Sequence, residues 1–285
     1  DVQCGGDVIC HVDLPVQAGL SSSSALVVAW VHALARVADV ALTPMELAQV
    51  AYRVEVERFG APGGHMDHVA SAIGGVLRIH PNWKTEGLES TGDGAWVVVD
   101  SGEPKDTLGH LERCKSRRQA LVAEHGGEWV PPESLESWSD LTPDDRALWQ
   151  ATWKNKHLEE YAHAHWGDSE AIAKKMSLHH ESLRDGLGLS TPALEALGLA
   201  AMKAGAWGWK VVGSGGGGCG LVWCPRERVE AVHQAVRSEG ARASWTVRSS
   251  DGAQCTLWQR PSCPAVVLAA GRSTRMKHLE SAEDH

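Results

Sequence analysis

The sequence has no uninterrupted apolar run approaching the roughly 18 residues that a membrane-spanning helix needs, so no such span is expected. It does not open with a basic segment followed by an apolar core, so no secretory leader is expected either. Basic residues are in deficit. The 27 Lys and Arg stand against 36 Asp and Glu, a formal net charge of −9, which argues against a nucleic-acid partner. The 7 cysteines are odd in number and form no Cys-x-x-Cys pair. Neither a disulfide framework nor a zinc site is therefore expected, and a reducing cytoplasm fits best. The 15 histidines include the pair His179 and His180 but no His-Glu-x-x-His spacing, so they read as scattered core and surface side chains. With 43% hydrophobic and 22% charged residues over 285 positions, the composition is that of an ordinary globular chain of one large domain or two modest ones.

What is present concentrates in three stretches. Residues 14–26 read Leu-Pro-Val-Gln-Ala-Gly-Leu-Ser-Ser-Ser-Ser-Ala-Leu and run into an apolar, helix-forming segment. A turn of this kind leaves backbone N–H groups unsatisfied at a helix start, where the positive end of the helix dipole also points. The loop is therefore suited to an anion, most simply a phosphate. The serine hydroxyls add donors and can ligate magnesium, and four in succession exceed what one N-cap needs. It is not a Walker loop, because no Gly-Lys-Ser/Thr follows. In the second stretch, residues 53–75, Asp67 stands between a glycine-rich turn and a short helix, and Glu55 lies twelve positions earlier. Phosphoryl transfer needs one carboxylate near the acceptor hydroxyl and another at the metal, although an Asp at such a place is also a common helix cap. The third stretch, Val212–Gly220, is a glycine run between two apolar strands, read as a buried tight loop and not as a flexible linker.

The remaining sequence reads as a mixed α+β order without internal repeats. Strands are expected at 7–13, 76–80, 96–100, 209–212, 220–223 and 245–248. Helices are expected at 25–38, 44–59, 68–73, 107–124, 145–166, 168–184, 192–204 and 225–238, with 126–145 as a surface insertion.

Pro15 to Ser24 resembles the second motif of the GHMP kinases, Pro-x-x-x-Gly-Leu-(Ser/Gly)-Ser-Ser-Ala. Glu55, Gly60, Pro62, Gly64 and Asp67 fall without a gap on the sugar-kinase pattern of Glu followed by Gly-x-Pro-x-Gly-x-x-Asp-Gln, with His68 in place of Gln. Gly213–Gly220 resembles the third motif, Gly-x-Gly-x-Gly-Gly. Met176, His180, Ser182, Leu183, Arg184, Asp185, Ser190, Pro192 and Leu194 match a galactokinase stretch in which Glu195 replaces Asp. The resemblance spans about residues 7–260. It implies the two-lobed GHMP fold, with a partial ribosomal S5-like lobe over 1–150 and a ferredoxin-like lobe over 151–260. It implies ATP bound by Gly19, Leu20, Ser21, Ser22, Ser23, Ser24, Gly213, Gly215, Gly216 and Gly217. Magnesium would be held by Ser23 and Glu55, with Glu57 a rival to Glu55. Asp67 would be the base facing a sugar hydroxyl, and the third motif would pack beside the phosphate loop. The family's first motif is not found before residue 7, so a missing N-terminal region is expected.

Pro264–Lys277 differs from everything before it. Its Leu-Ala-Ala-Gly-Arg-Ser-Thr-Arg-Met resembles the opening of sugar nucleotidyltransferases, where the glycine turn and Arg275 would lie along a nucleotide triphosphate. Residues 261–285 are expected to be a linker plus the first strand and turn of such a domain, with the strand left unpartnered. The leading expectation is a kinase making a sugar 1-phosphate for nucleotide-sugar synthesis. The alternatives are a catalytically silent sugar and ATP sensor acting through a protein partner, and a homoserine or mevalonate kinase.

Overall fold

The computed structural model of the chain describes residues 8–15, 18–61, 63–89, 92, 94–104, 107–213, 215–260 and 263–269. The helices, in chain order, are α1 (Ser22–Val37), α2 (Pro44–Tyr52), α3 (Met66–Ile73), α4 (Thr107–Glu124), α5 (Pro143–Ala164), α6 (Ser169–Leu187), α7 (Pro192–Lys203) and α8 (Val229–Ser238). The strands are β1 (Val76–Ile79), β2 (Thr85–Leu88), β3 (Gly94–Asp100), β4 (Gly208–Val211), β5 (Cys219–Pro225), β6 (Ala243–Val247), β7 (Gln254–Arg260) and β8 (Cys263–Ala269). Two compact units result. One comprises Asp1–Val12, Ser21–Ser90 and Ser249–His285, and the other Asp13–Leu20 and Thr91–Arg248.

In the first unit α1, α2 and α3 close around Val28, Leu47, Ala48, Ala51, Val69 and Ala72. The start of α2 is set by a capping box. The Thr43 hydroxyl accepts the Glu46 N–H at 3.2 Å while the Glu46 carboxylate accepts the Thr43 N–H at 2.8 Å, and Pro44 takes the first helical position. The sequence suggests one helix as far as Phe59. Instead the last stretch widens into a π-helical turn, Arg53–Arg58, before Gly60 stops it with φ +70°. The β1–β2 hairpin was not anticipated, since β2 is short and polar and its turn places Trp83 at φ 68°. Residues 8–13 form no strand. Val8, Ile9 and Val12 are 55%, 81% and 50% exposed, and β-branched residues alone cannot make a ladder without a partner. The reverse holds at the other end. The strand expected to be unpartnered, β8, pairs antiparallel with β7 from Arg260↔Cys263 to Gln254↔Ala269. The glycine turn and Arg275 that follow lie outside the described residues.

In the second unit β3–β6 form an antiparallel sheet in the order β4-β5-β3-β6. Strand β3 shows the two-residue period of a pleated strand. Val97 and Val99 enter a core with Leu183, Leu194, Leu197, Trp209, Val222 and Val232, which draws on α6, α7 and α8. Val98 points the other way, onto Ala18 and Cys219. Residues 126–145 are more than a surface insertion. Trp129, Val130, Leu135 and Trp138 cover Leu121, Leu148 and Trp149, and the Trp149 indole N–H donates to the Val130 carbonyl at 2.9 Å. Arg117 of α4 forks onto Asp145 of α5 at 2.7 and 2.8 Å. Among the described residues no helix is long and apolar enough to cross a membrane.

On α6, burial, with the positive charge of Lys210 nearby, pushes the His179 imidazole down to about 3. Its Nδ1 is buried without a hydrogen-bond partner. The unfolded chain takes up this proton near pH 6.5 and the folded chain does not. Stability is therefore lost as pH falls from 6.5 toward 3 and is unaffected by this group above 6.5. Denaturant titrations should show wild type losing up to about 2 kcal/mol more than His179→Gln between pH 6.5 and 5. Parallel pH profiles would contradict the assignment.

Candidate active site

The serine run enters α1 in an unusual way. Ser21 takes the N-cap position in a left-handed conformation, φ 56° and ψ 33°, and its side chain makes no capping hydrogen bond. The first helical bond is Ala25 N–H to Ser21 C=O at 3.0 Å. The amides of Ser22, Ser23 and Ser24 precede it and have no acceptor among the described residues. No acidic residue occupies the first turn. The helix therefore starts at a strained non-glycine residue, with free amides of the kind an anion can engage. Ser23 is exposed, Ser22 half-buried and Ser24 buried. Immediately upstream, Gly19 turns with φ 78°, and Ala18 and Leu20 pack with Val98, Cys219, Leu221 and Val247.

Asp67 lies in the first turn of α3 and is half-buried. No hydrogen bond or ion pair among the described residues engages its carboxylate. Glu55 is in the π-helical turn, and one of its oxygens, Oε2, is 2.7 Å from His68 Nε2 without hydrogen-bond alignment. The His68 side chain is 2% exposed and that of Glu55 13%. Tyr52 sits edge-on to His68 at 5.6 Å. His68, in place of the expected Gln, thus lies against the candidate metal carboxylate. Glu57 faces solvent. Ser21–Ser24, Glu55 and Asp67 all belong to the first unit, and within it α1 packs on the π-helical turn. A hydroxyl and a carboxylate are hard oxygen donors of the kind magnesium takes, and Glu55 Oε2 is a buried acceptor with no hydrogen-bond partner. Among the described residues no cluster of three or more His, Cys, Asp or Glu could hold a metal by itself.

The glycine turn belongs to the second unit. Gly213, Gly215, Gly216, Gly217 and Gly218 all have φ between +64° and +116°, and Ser214 lies outside the described residues. The Gly218 backbone lies so close to the phosphate-loop segment that a Cβ there would be 2.7 Å from the Ala18 carbonyl oxygen. The third motif therefore packs on the start of the second. Around this turn lie polar residues to which the sequence assigned no role. Asp100, 1% exposed, accepts from Arg242 at 2.6 and 2.9 Å and from the Gly102 N–H at 2.9 Å. Glu195 accepts from His180 at 2.8 Å and Arg184 at 3.0 Å, and also from the Ser190 hydroxyl. Burial alone would raise the Glu195 carboxyl, but Ser190 and Arg184 outweigh it and hold it below the usual range. The one advance signal was positional, since Glu195, Arg184 and Ser190 stand in the stretch that carries the galactokinase resemblance.

Two family models match this chain, GHMP kinases N terminal domain over residues 2–75 and GHMP kinases C terminal over residues 158–242. The chain belongs to the GHMP kinase family. A mevalonate kinase of Thermococcus sibiricus is 30% identical over 254 residues, covering 88% of this chain and 69% of the relative. A galactokinase of Pasteurella multocida is 29% identical over 258 residues, covering 85% and 67%. Among solved structures, Lactococcus lactis galactokinase complexed with galactose superposes with a TM-score of 0.74 at 20% identity, over 84% of this chain and 68% of that one. Methanococcus jannaschii mevalonate kinase gives 0.58 at 20% identity, over 82% and 65%. The helices and antiparallel sheets described above are thus the GHMP kinase two-domain fold. The chain spans between 65% and 69% of the length of such curated relatives.

The close approach at Gly218 has a measurable cost. Gly188, which ends α6 at φ +63°, has nothing within 4 Å of an added Cβ. Gly188→Ala should lose only the left-handed strain, about 1–2 kcal/mol. Gly218→Ala should lose about 1–3 kcal/mol more, because the Ala18 carbonyl must also move. Thermal or denaturant unfolding of both variants measures this, and equal losses would contradict the contact.

Proposed function

We propose that this GHMP kinase transfers the γ-phosphoryl group of ATP to a hydroxyl of a monosaccharide, at the anomeric position. The observation that carries the reading is the presence, within one unit, of three amides at the start of α1 and a half-buried Asp67 carboxylate that have no partners among the described residues. The amides of Ser22–Ser24 take phosphate oxygens, aided by the helix dipole. Gly19 and Leu20, with Gly213, Gly215, Gly216 and Gly217, are the further nucleotide residues that the GHMP resemblance implies. The acceptor hydroxyl oxygen attacks the γ-phosphorus, the bond to the β–γ bridging oxygen breaks, ADP leaves, and Asp67 receives the hydroxyl proton. Magnesium fits Ser23 and Glu55 and would neutralise charge on the β- and γ-phosphates.

Two sequence features favour a sugar. One is the galactokinase-like stretch from Met176 to Glu195. The other is Pro264–Lys277, which resembles the opening of sugar nucleotidyltransferases, enzymes that consume a sugar 1-phosphate. A second reading, mevalonate as acceptor, is favoured by the mevalonate kinase relatives.

An ADP-release assay with galactose, other free hexoses, mevalonate and homoserine tests both readings. Turnover is expected with a hexose, and turnover with mevalonate alone would transfer the assignment to the second reading. Asp67→Asn should lower kcat about 10²–10⁴-fold while leaving ATP affinity within about threefold, the loss expected for a positioned proton acceptor. A variant that turns over at near wild-type rates would remove Asp67 from the mechanism.

A further inference from the structure

We propose that Glu103 and Glu195 are positioning residues, two carboxylates that tie together the segments bracketing the Gly213–Gly218 turn and preset its backbone for nucleotide. The proposal deepens the kinase reading and rests on it for its functional consequence. A run of glycines with positive φ has no side chains to hold its shape, and ordering it is entropically costly. The turn is fixed instead by its neighbours. On one side the Gly218 N–H donates to the Glu103 carbonyl at 3.0 Å, and the Gly218 carbonyl accepts from the Ser101 N–H at 3.0 Å and the Ser101 hydroxyl at 2.7 Å. On the other side the Gly216 N–H donates to the Leu189 carbonyl at 3.0 Å. The fit leaves no slack, since a Cβ would be 2.0 Å from the Leu189 oxygen at Gly215 and 2.7 Å from the Pro104 oxygen at Gly217.

These two flanks come from distant parts of the sequence, and side chains join them. The Thr191 hydroxyl donates to the Glu103 carboxylate, linking the segment after β3 to the start of α7. Next to it Glu195 gathers the Ser190 hydroxyl, Arg184 and His180. His180 extends the link to β4, because its Nδ1 accepts the Val211 N–H at 3.3 Å, which leaves Nε2–H to donate to Glu195. Val211 lies two residues before Gly213, so the hub is tied to the strand that feeds the turn as well as to the residues that flank it. Each of these residues lies in the second unit.

Glu103→Ala removes the side-chain link but keeps the backbone carbonyl that receives the Gly218 N–H. Amide hydrogen exchange over residues 213–218, followed by mass spectrometry, reads the turn directly. Loss of a link worth about 1 kcal/mol should speed that exchange about fivefold, while exchange in α1–α3 is unchanged. Glu103→Gln, which still accepts from Thr191, should restore the wild-type rate. In turnover, KM for ATP should rise about fivefold in Glu103→Ala with KM for the acceptor unchanged, and Glu195→Ala should act in the same sense. Should Glu103→Ala fail to fold, Glu103→Met against Glu103→Gln makes the same comparison without touching the Thr191 cap of α7. Unchanged exchange in the turn on loss of the link, or a rise that Gln does not reverse, would overturn the proposal. Faster exchange in a protein that phosphorylates no acceptor would sustain the bracket and reject the kinase reading.

Discussion

The arrangement depends on how the backbone passes from Ala18 to Ser24. At one end Ala18 is 2% exposed, wedged between the sheet residue Val98 and the underside of the glycine turn. At the other end α1 is anchored through Val28 in the helical core of the first unit. Between Ala18 and Val28 the backbone turns. It does so through Gly19 and then through Ser21, a residue with a Cβ held in the left-handed region. That strain is the kind retained where surrounding structure over-determines the backbone. Its consequence is a helix start whose donors are spared from capping, as an anion would need.

Carboxylates divide into two kinds around this framework. Asp100 and Glu195 are engaged at both oxygens by guanidinium, imidazole, hydroxyl or amide partners, and Glu103 accepts from the Thr191 hydroxyl. Asp67 is half-buried and free of such partners among the described residues, which is what a group that must accept a proton requires. Glu55 stands between the two kinds, pressed against His68 at 2.7 Å with its oxygen still lacking a hydrogen bond. Electrostatic preorganisation of this sort is established before any ligand arrives.

Much of this was legible in the sequence because it rests on local chemistry. The Thr43-Pro44-Met45-Glu46 cap, the apolar run after Ser24 and the valines of β3 each declare their state within a few residues. The glycine turn was legible because its flanks are strands. What escaped depends on distant partners. Val8, Ile9 and Val12 have strand-forming side chains but no strand to pair with, whereas β8 finds β7. Trp129 and Trp138 stand in a segment rich in Pro and acids and gain their burial from Trp149 and Leu121. The π-helical widening at Glu55 and the link from Thr191 to Glu103, 88 positions apart, leave no periodic mark.

The central claim concerns where a nucleotide's phosphates sit. A crystal structure of the chain with a non-hydrolysable ATP analogue and magnesium measures this directly. The account predicts phosphate oxygens on the amides of Ser22, Ser23 and Ser24, with the cation on Ser23 and Glu55. A triphosphate bound elsewhere, with those three amides in contact with water alone, would contradict it.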